Sequence, residues 1–178
     1  MKKLILGSAI VAVLGVASSA MAAPNSGTVN FTGAVSTATC NLSVQDSAGA
    51  NVSTVNLGTL ANTSNADGTL VSFKLVPQDA TCLGKADATM TWTSPTLSPT
   101  GLSNATTGGT NATMALNATN ASGTDKAIKQ GNTSFNYTIT GGIKSFDFSA
   151  QLKRPTGNNV TMTAGPFSAA ASYVVAYK

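Results

Sequence analysis

The sequence predicts an all-β antiparallel sandwich, and three observations support this fold class. The chain of 178 residues carries few charges, ten basic and six acidic. Ser, Thr and Asn make up about a third of the residues, a composition that favours short strands and turns over helices. Apolar and polar residues alternate in many short segments, which is the pattern of half-buried strands. The length suits one domain.

The composition also limits the possible functions. With 42% hydrophobic residues the chain is not of the disordered class. It contains no His and no Glu, so a structural zinc site and a His-dependent catalytic triad are excluded. The six Asp residues are dispersed without the spacing of a local metal loop. We therefore expect no metal, no cofactor and no catalysis, but an architectural or binding role.

The first 22 residues have the pattern of a signal peptide. Two Lys residues precede an uncharged apolar run of 13 residues, and small residues follow up to Ala20 and Ala22, the expected cleavage signal. A transmembrane anchor is the alternative, but such a run covers only about 20 Å of a roughly 30 Å hydrocarbon core. The chain is therefore expected to be exported, and its remaining positive charge is too weak to predict nucleic-acid binding.

Export changes how the two cysteines are interpreted. Cys40 and Cys82 are the only cysteines, and an oxidising compartment permits a disulfide between them. Two buried free thiols are the alternative.

The first candidate strand begins close to the predicted cleavage site. Residues 27–35 place Gly27, Val29, Phe31, Gly33 and Val35 on one face. Further strands are predicted, in order, at residues 39–44, 52–57, 70–75, 86–93, 112–116, 134–139, 145–152 and 169–177. Gly- and Pro-containing turns separate them. Residues 96–129 are polar and poorly periodic, and we expect short strands joined by loops there.

Two positions within these elements have more than one interpretation. Trp92 shares a face with Ala88 and Met90 and is expected to pack in the core rather than to stack against a sugar. Lys153 and Arg154 are expected to form a solvated strand end before Pro155 rather than a ligand site.

The first predicted strand resembles one that is donated to another molecule, and the last predicted strand resembles a sheet edge that accepts such a strand. Gly adds no burial to a core strand, but it is useful where another backbone must approach closely. If the sandwich is built like a seven-stranded immunoglobulin domain, no segment remains after residue 177 to form the last strand. The body would then keep an open edge that a strand from another molecule could fill. The alternatives are an ordinary first strand of a complete sandwich and a last strand without a role in assembly.

Several segments, taken in order, resemble one protein family. The order along the chain is residues 27–35, then Cys40, then Val55-Asn56-Leu57-Gly58. The segment Phe73-Lys74-Leu75 follows, and Cys82 comes after it. Gly165 is fourteenth from the end, and Tyr173, Val175 and Tyr177 alternate up to the penultimate position. With these elements behind a signal peptide, the sequence resembles the structural subunits of chaperone–usher pili (fimbriae), in particular a major pilin. Val174 and Ala176 depart from the pattern because they are apolar outward positions, and we expect a loop to cover them.

The resemblance implies an incomplete immunoglobulin-like sandwich of six core strands plus an N-terminal donor strand. The organisation would be a signal peptide (1–22), a donor-strand extension (23–37) and a pilin domain (38–178). A periplasmic chaperone would pair with the C-terminal strand, here called the assembly strand, whose expected residues are Gly165, Tyr173, Val175, Tyr177 and Lys178. Basic residues of the chaperone would hold the carboxylate of Lys178. At an outer-membrane usher, the donor strand of the next subunit would replace the chaperone, with Gly33 matching the family's glycine.

The resulting hypothesis is a structural subunit that polymerises by donor-strand exchange into an adhesive fimbrium on the bacterial surface. The fimbrium could carry the contact with a host receptor. One alternative is a minor adaptor or a fimbrial subunit that itself binds receptor, and another is a soluble exported immunoglobulin-like binding module. In an isolated chain, residues 27–35 are expected either to be detached or to fill the chain's own groove.

Overall fold

The computed structural model describes residues 26–33, 40–157 and 160–178, with residues 26–33 described as backbone. Strands dominate these residues, and they form two facing sheets. The elements are β1 (Ser26–Gly33), β2 (Leu42–Asp46), β3 (Thr54–Thr59), β4 (Val71–Pro77), α1 (Ala80–Leu83), β5 (Asp87–Thr93), β6 (Leu97–Ser98), β7 (Gly101–Ser103), β8 (Thr113–Ala118), β9 (Ala127–Ile128), β10 (Ser134–Thr138), β11 (Phe146–Lys153) and β12 (Phe167–Tyr177).

Sheet A contains five strands in the order β10-β5-β12-β1-β3. β12 pairs antiparallel with β5, but β1 runs parallel to β12 and antiparallel to β3. β1 therefore separates β12 from β3, and these two strands are far apart in sequence.

Sheet B follows the order β2-β4-β11-β8-β7-β6, and β9 also pairs with β8. The chain passes between the sheets through the tight turn after β2, where Gly49 adopts a positive φ of 86° and its amide donates to the Asp46 carbonyl. Only Gly accepts such a φ readily. The turn moves the chain from the edge of sheet B to the edge of sheet A.

The predicted all-β sandwich is confirmed, and each predicted strand among the described residues overlaps an observed one. The segment 96–129 contains the expected short strands, β6, β7 and β9. The single turn of helix α1 was not predicted. It begins after Asp79 and carries Cys82, its one buried residue, towards β2.

Apolar side chains from both sheets form the core. Trp92 of β5 is buried, and its ring centroid lies 5.2 Å from that of Phe148 in sheet B and 5.4 Å from that of Tyr173 in β12. Phe148 stacks in turn on Phe73 at 5.3 Å. The core-packing interpretation of Trp92 is thus confirmed, since a buried indole offers no platform to a sugar.

Candidate assembly groove

A groove for one strand lies between β12 and β3, and β1 of the same chain fills it. The register with β12 runs from Gly27 opposite Phe167 to Gly33 opposite Tyr173. On the other side, Val29 lies opposite Val55 of β3. β1 forms no hairpin with either neighbour. Its place in sheet A depends on backbone pairing with two strands to which no short turn connects it.

The groove wall consists of residues whose side chains face the core. Along β12, alternate residues are buried: Phe167, Ala169, Ala171, Tyr173 and Val175. Val55 and Leu57 of β3 are buried on the opposite wall. Because paired residues of neighbouring strands lie on the same face of a sheet, the odd-numbered positions of β1 lie in these core-facing rows. In this register the predicted donor face lies along the groove, and its role as a donor stays a prediction.

The C-terminal end of β12 closes against β5. The backbone amide of Lys178 donates to the Asp87 carbonyl at 2.9 Å, while the Lys178 residue itself is exposed. The Tyr177 ring lies 6.0 Å from Phe146 between centroids. Burial raises the pKa of Tyr177 to about 12, and its hydroxyl has no hydrogen-bond partner within the described part of the chain.

The disulfide links the segment just before β2 to the short helix α1. Cys40 and Cys82 are bonded with their Cα atoms 6.1 Å apart, which lies in the usual range. Next to the bridge, the Asn41 amide donates to a carboxylate oxygen of Asp79 at 3.0 Å. The predicted bridge is confirmed, and no free cysteine is found.

Gly165 lies before β12 rather than within it. Its φ is +148°, and a Cβ atom there would come within 2.9 Å of the backbone of Gly109. Asn104 holds the same junction with four hydrogen bonds. Its amide donates to the carbonyls of Thr110 and Pro166, and its carbonyl oxygen accepts from the amides of Thr106 and Ser168, all at 2.9–3.0 Å.

Asn104 and Phe167 are not among the site residues predicted from the sequence. Phe167 extends the alternation of buried and more exposed residues in β12 by one pair towards the N-terminus. The three consecutive alanines at 169–171 hide this alternation in the sequence. For Asn104 the sequence offers only a generic preference of Asn for turns.

The expectation that a loop covers the outward positions of β12 is wrong. Val174 is 44% exposed, and Ala176 is exposed as well. Both lie on the outer face of sheet A, opposite Thr91 and Thr89 of β5. Loops connect the strands at the ends of the sandwich, so they leave this flat face open.

Three predicted site residues lie outside the described residues. They are Val35 of the donor strand and the two cleavage-site alanines, Ala20 and Ala22. Among the residues that are described, no cluster of three or more potential metal ligands occurs. The same residues contain no helix long and apolar enough to cross a membrane.

Comparison with curated proteins identifies the family. The chain is 38% identical to the K99 fimbrial protein of Escherichia coli over 166 residues, which covers 88% of this chain and 89% of the relative. The chain belongs to the fimbrial proteins. The F107 fimbrial protein of Escherichia coli is 33% identical over 181 residues and is matched along its full length.

A solved structure supports the fold of this fimbrial protein independently. The crystal structure of the P pilus rod subunit PapA matches it with a TM-score of 0.56 at 15% identity, over 79% of this chain and 92% of PapA. No family model matches the sequence. The resemblance to chaperone–usher fimbrial subunits is thus confirmed, and the chain is a fimbrial structural subunit. Its relatives are fimbrial structural proteins and not enzymes.

Proposed function

We propose that this fimbrial protein polymerises by donor-strand exchange, in which β1 of one subunit fills the groove between β12 and β3 of the next. The observation that carries the proposal is the position of β1. It pairs on both sides with strands that are not its neighbours in sequence. A second copy of the same segment could form the same backbone pairs.

Burial of apolar residues favours the exchange. The groove wall presents a continuous buried row along β12, and the donor face supplies Val29, Phe31 and Val35. Each of these three side chains is expected to contribute roughly 1.5–3 kcal/mol when fully buried, in addition to the hydrogen bonds of the strand. Because the donor completes a core, its release requires extensive unfolding, and the junction is kinetically durable.

The geometry of the exchange leads to a filament. Each subunit offers a donor strand at one site and a groove at another, so the contact is head-to-tail and does not close on itself. The subunit is expected to pass through the periplasm after removal of residues 1–22. A chaperone would cover the groove there until an outer-membrane usher brings the next subunit, and the fimbrium would end on the cell surface.

Deletion of residues 23–35 tests this function. Cells that express the variant with its neighbouring genes should form no filaments by electron microscopy, while the variant should still copurify with the chaperone. Filaments built from the deleted chain would refute the proposal.

Charge substitutions give a matched test. Phe31→Asp and Val35→Asp should stop assembly because they place an unpaired charge in a buried row. Ser134→Asp is the control, since Ser134 is exposed on β10 at the edge of sheet A remote from the groove. Loss of filaments in the control as well would point to a general folding defect.

A further inference from the structure

The two halves of β12, which forms one wall of the groove, are supported in different ways. β5 pairs with β12 from Tyr177 back to Ser172, which lies opposite Thr93, the last residue of β5. Residues 167–171 extend beyond the end of β5 and pair with β1 on their other side. In the described part of the chain, no strand borders residues 167–171 on the β5 side. Other groups must therefore hold this half of the wall.

The chain leaves sheet A after Ser94, and Pro95 favours this exit. Proline has no backbone N–H and cannot continue a ladder of hydrogen bonds. Residues 94–106, here called the crossing segment, pass to sheet B, form the hairpin of β6 and β7, and return to β12. The Ser103 amide donates to the Thr96 carbonyl at 2.8 Å. This bond joins the outgoing and returning parts of the crossing segment.

Both ends of the crossing segment bond the backbone of β12. Ser94 Oγ donates to the Ala170 carbonyl at 2.7 Å. At the returning end, the Ala105 amide donates to the Ser168 carbonyl at 2.8 Å. The side-chain oxygen of Asn104 accepts from the Ser168 amide at 2.9 Å. These bonds take the place that the ladder with β5 has further along the strand.

The bonds to the crossing segment also fix the groups that face β1. Successive residues of a strand direct their peptide groups to opposite edges. Because the groups of Ser168 and Ala170 point to the crossing segment, those of the odd-numbered residues in 167–171 point to β1. The Ser94 hydroxyl is itself held in place, since its oxygen accepts from the Thr96 amide at 3.2 Å. A shift of the Ala170 carbonyl would therefore displace the neighbouring groups with which an inserted strand pairs.

We propose that Ser94 is a positioning residue for strand insertion. Through the Ala170 carbonyl it holds the first half of the groove wall in line with the half that β5 supports, so that one strand can pair along both halves. The inference rests on the function proposed above. It gives a part in that function to a side chain that lies outside the groove, on the far side of β12.

Hydrogen exchange of the chain without residues 1–22 tests the role of Ser94. Ser94→Ala should raise the exchange rates of the amides in residues 167–171 by about two- to tenfold, which is the effect of one hydrogen bond. The amides of residues 173–177 should keep their rates, because β5 still pairs with them. A general loss of stability would raise the rates in both halves, and that result would overturn the proposal.

Two further variants show whether the hydroxyl is responsible. Ser94→Thr keeps a hydroxyl and should restore the exchange rates of residues 167–171. Ser98→Ala is the matched control, since Ser98 Oγ donates to the Gly101 carbonyl at 3.0 Å within the crossing segment. Unchanged rates in Ser94→Ala, or the same pattern of rates in Ser98→Ala, would refute the assignment.

Filaments of the same variants separate this inference from the proposed function. Ser94→Ala filaments should release subunits in urea about two- to tenfold faster than filaments of the original chain or of Ser98→Ala. Faster exchange in the isolated chain with unchanged release from filaments would keep the role of Ser94 towards the chain's own β1 and would count against exchange into this groove. Unchanged exchange in the isolated chain would overturn the role of Ser94, while deletion of residues 23–35 still tests the exchange by itself.

Discussion

Two tyrosines, Tyr137 buried and Tyr177 half-buried, flank one aromatic ring at the end of the core where β12 ends. Ala88 of β5 lies opposite Tyr137 of β10 on one side and Tyr177 of β12 on the other. Phe146 of sheet B contacts both rings, with centroid distances of 4.8 Å to Tyr137 and 6.0 Å to Tyr177. The small side chain of Ala88 leaves the space in which the three rings meet, so a larger residue there would overpack the core.

Burial of the Tyr137 hydroxyl should make the stability of the fold depend on pH at alkaline pH. Tyr137 is 1% exposed, and burial raises its pKa above the ordinary value of 10.0. Because the folded pKa lies above the unfolded one, the stabilisation is complete below about pH 10 and is lost as the pH rises towards the folded pKa. Urea denaturation across this range should show stability falling above pH 10.

Tyr137→Phe is the matched variant for this measurement. It keeps the ring and removes a hydroxyl that has no hydrogen-bond partner among the described residues. The alkaline loss of stability should shrink, while the stability at neutral pH should be unchanged or higher. An unchanged alkaline loss in the variant would show that another group causes it.

At the scale of elements, one side chain joins the loop after β7 to the start of β12. Asn104 uses its amide and its carbonyl oxygen in two hydrogen bonds each, with backbone atoms on both sides of the junction. Asn111 strengthens the same contact, since its side chain bonds the carbonyl of Thr161 and the amide of Thr163. The junction fixes where β12 begins, and with it the position of Phe167.

Asn104→Ala should therefore destabilise the fold more than the loss of a polar side chain usually does. Four hydrogen bonds at about 1 kcal/mol each predict a loss of roughly 2–4 kcal/mol in the free energy of unfolding. Asn136→Ala is the control, because Asn136 is exposed on β10 and its side chain accepts one bond from Thr89. Equal effects of the two substitutions in chemical denaturation would contradict the assignment.

The end of β11 is held by an ion pair. Lys153 bonds the Asp67 carboxylate, whose other oxygen accepts from the Arg154 amide at 3.0 Å. The two basic residues thus form a strand end tied to the loop before β4. The bond from Lys153 and the bond from the Arg154 amide hold the pKa of Asp67 below its ordinary value of 3.8.

The Asp67 pair predicts a small acid sensitivity. A lowered folded pKa gives stability that is present above the unfolded pKa and is lost as the pH falls through the folded value. The coupling between Asp67→Asn and Lys153→Met should be at most about 1 kcal/mol at neutral pH, because solvent screens an exposed pair. It should disappear well below pH 4 in urea titrations. Coupling that persists in acid would exclude the ion pair as its source.

The disulfide stabilises the fold mainly by restricting the conformations of the unfolded chain, rather than by strengthening any one element. It joins residues 42 positions apart, and in the chain-entropy model such a closure contributes roughly 4 kcal/mol. Replacing Cys40 and Cys82 by Ala together should lower the free energy of unfolding by about that amount. The measurement is urea denaturation of the oxidised chain and the double variant, with reduced chain as control. A double variant of unchanged stability would contradict this role.

For the molecule as a whole, strand positions could be predicted from sequence, but their pairing could not. Alternation is a local property, so the strands around Trp92 and Phe148 were located within a few residues. The parallel placement of β1 beside β12 depends on contacts between distant segments, which no local pattern encodes. The start of β12 at Phe167 was missed because Ala169-Ala170-Ala171 shows no alternation. The family resemblance, in contrast, gave the function because it depends on the order of segments rather than on their contacts.

The position of β1 has a consequence for timing. Its pairs with β12 join residues 140 positions apart, such as Gly27 and Phe167. A chain that is made from its N-terminus presents β1 long before β12. Through that interval the first strand has no groove of its own, and closing so long a loop is slow compared with local folding. Under the proposed donor-strand exchange, the first strand of each new subunit would be open to capture by a neighbour during this period, and the rate at which the rest of the chain appears would set its length.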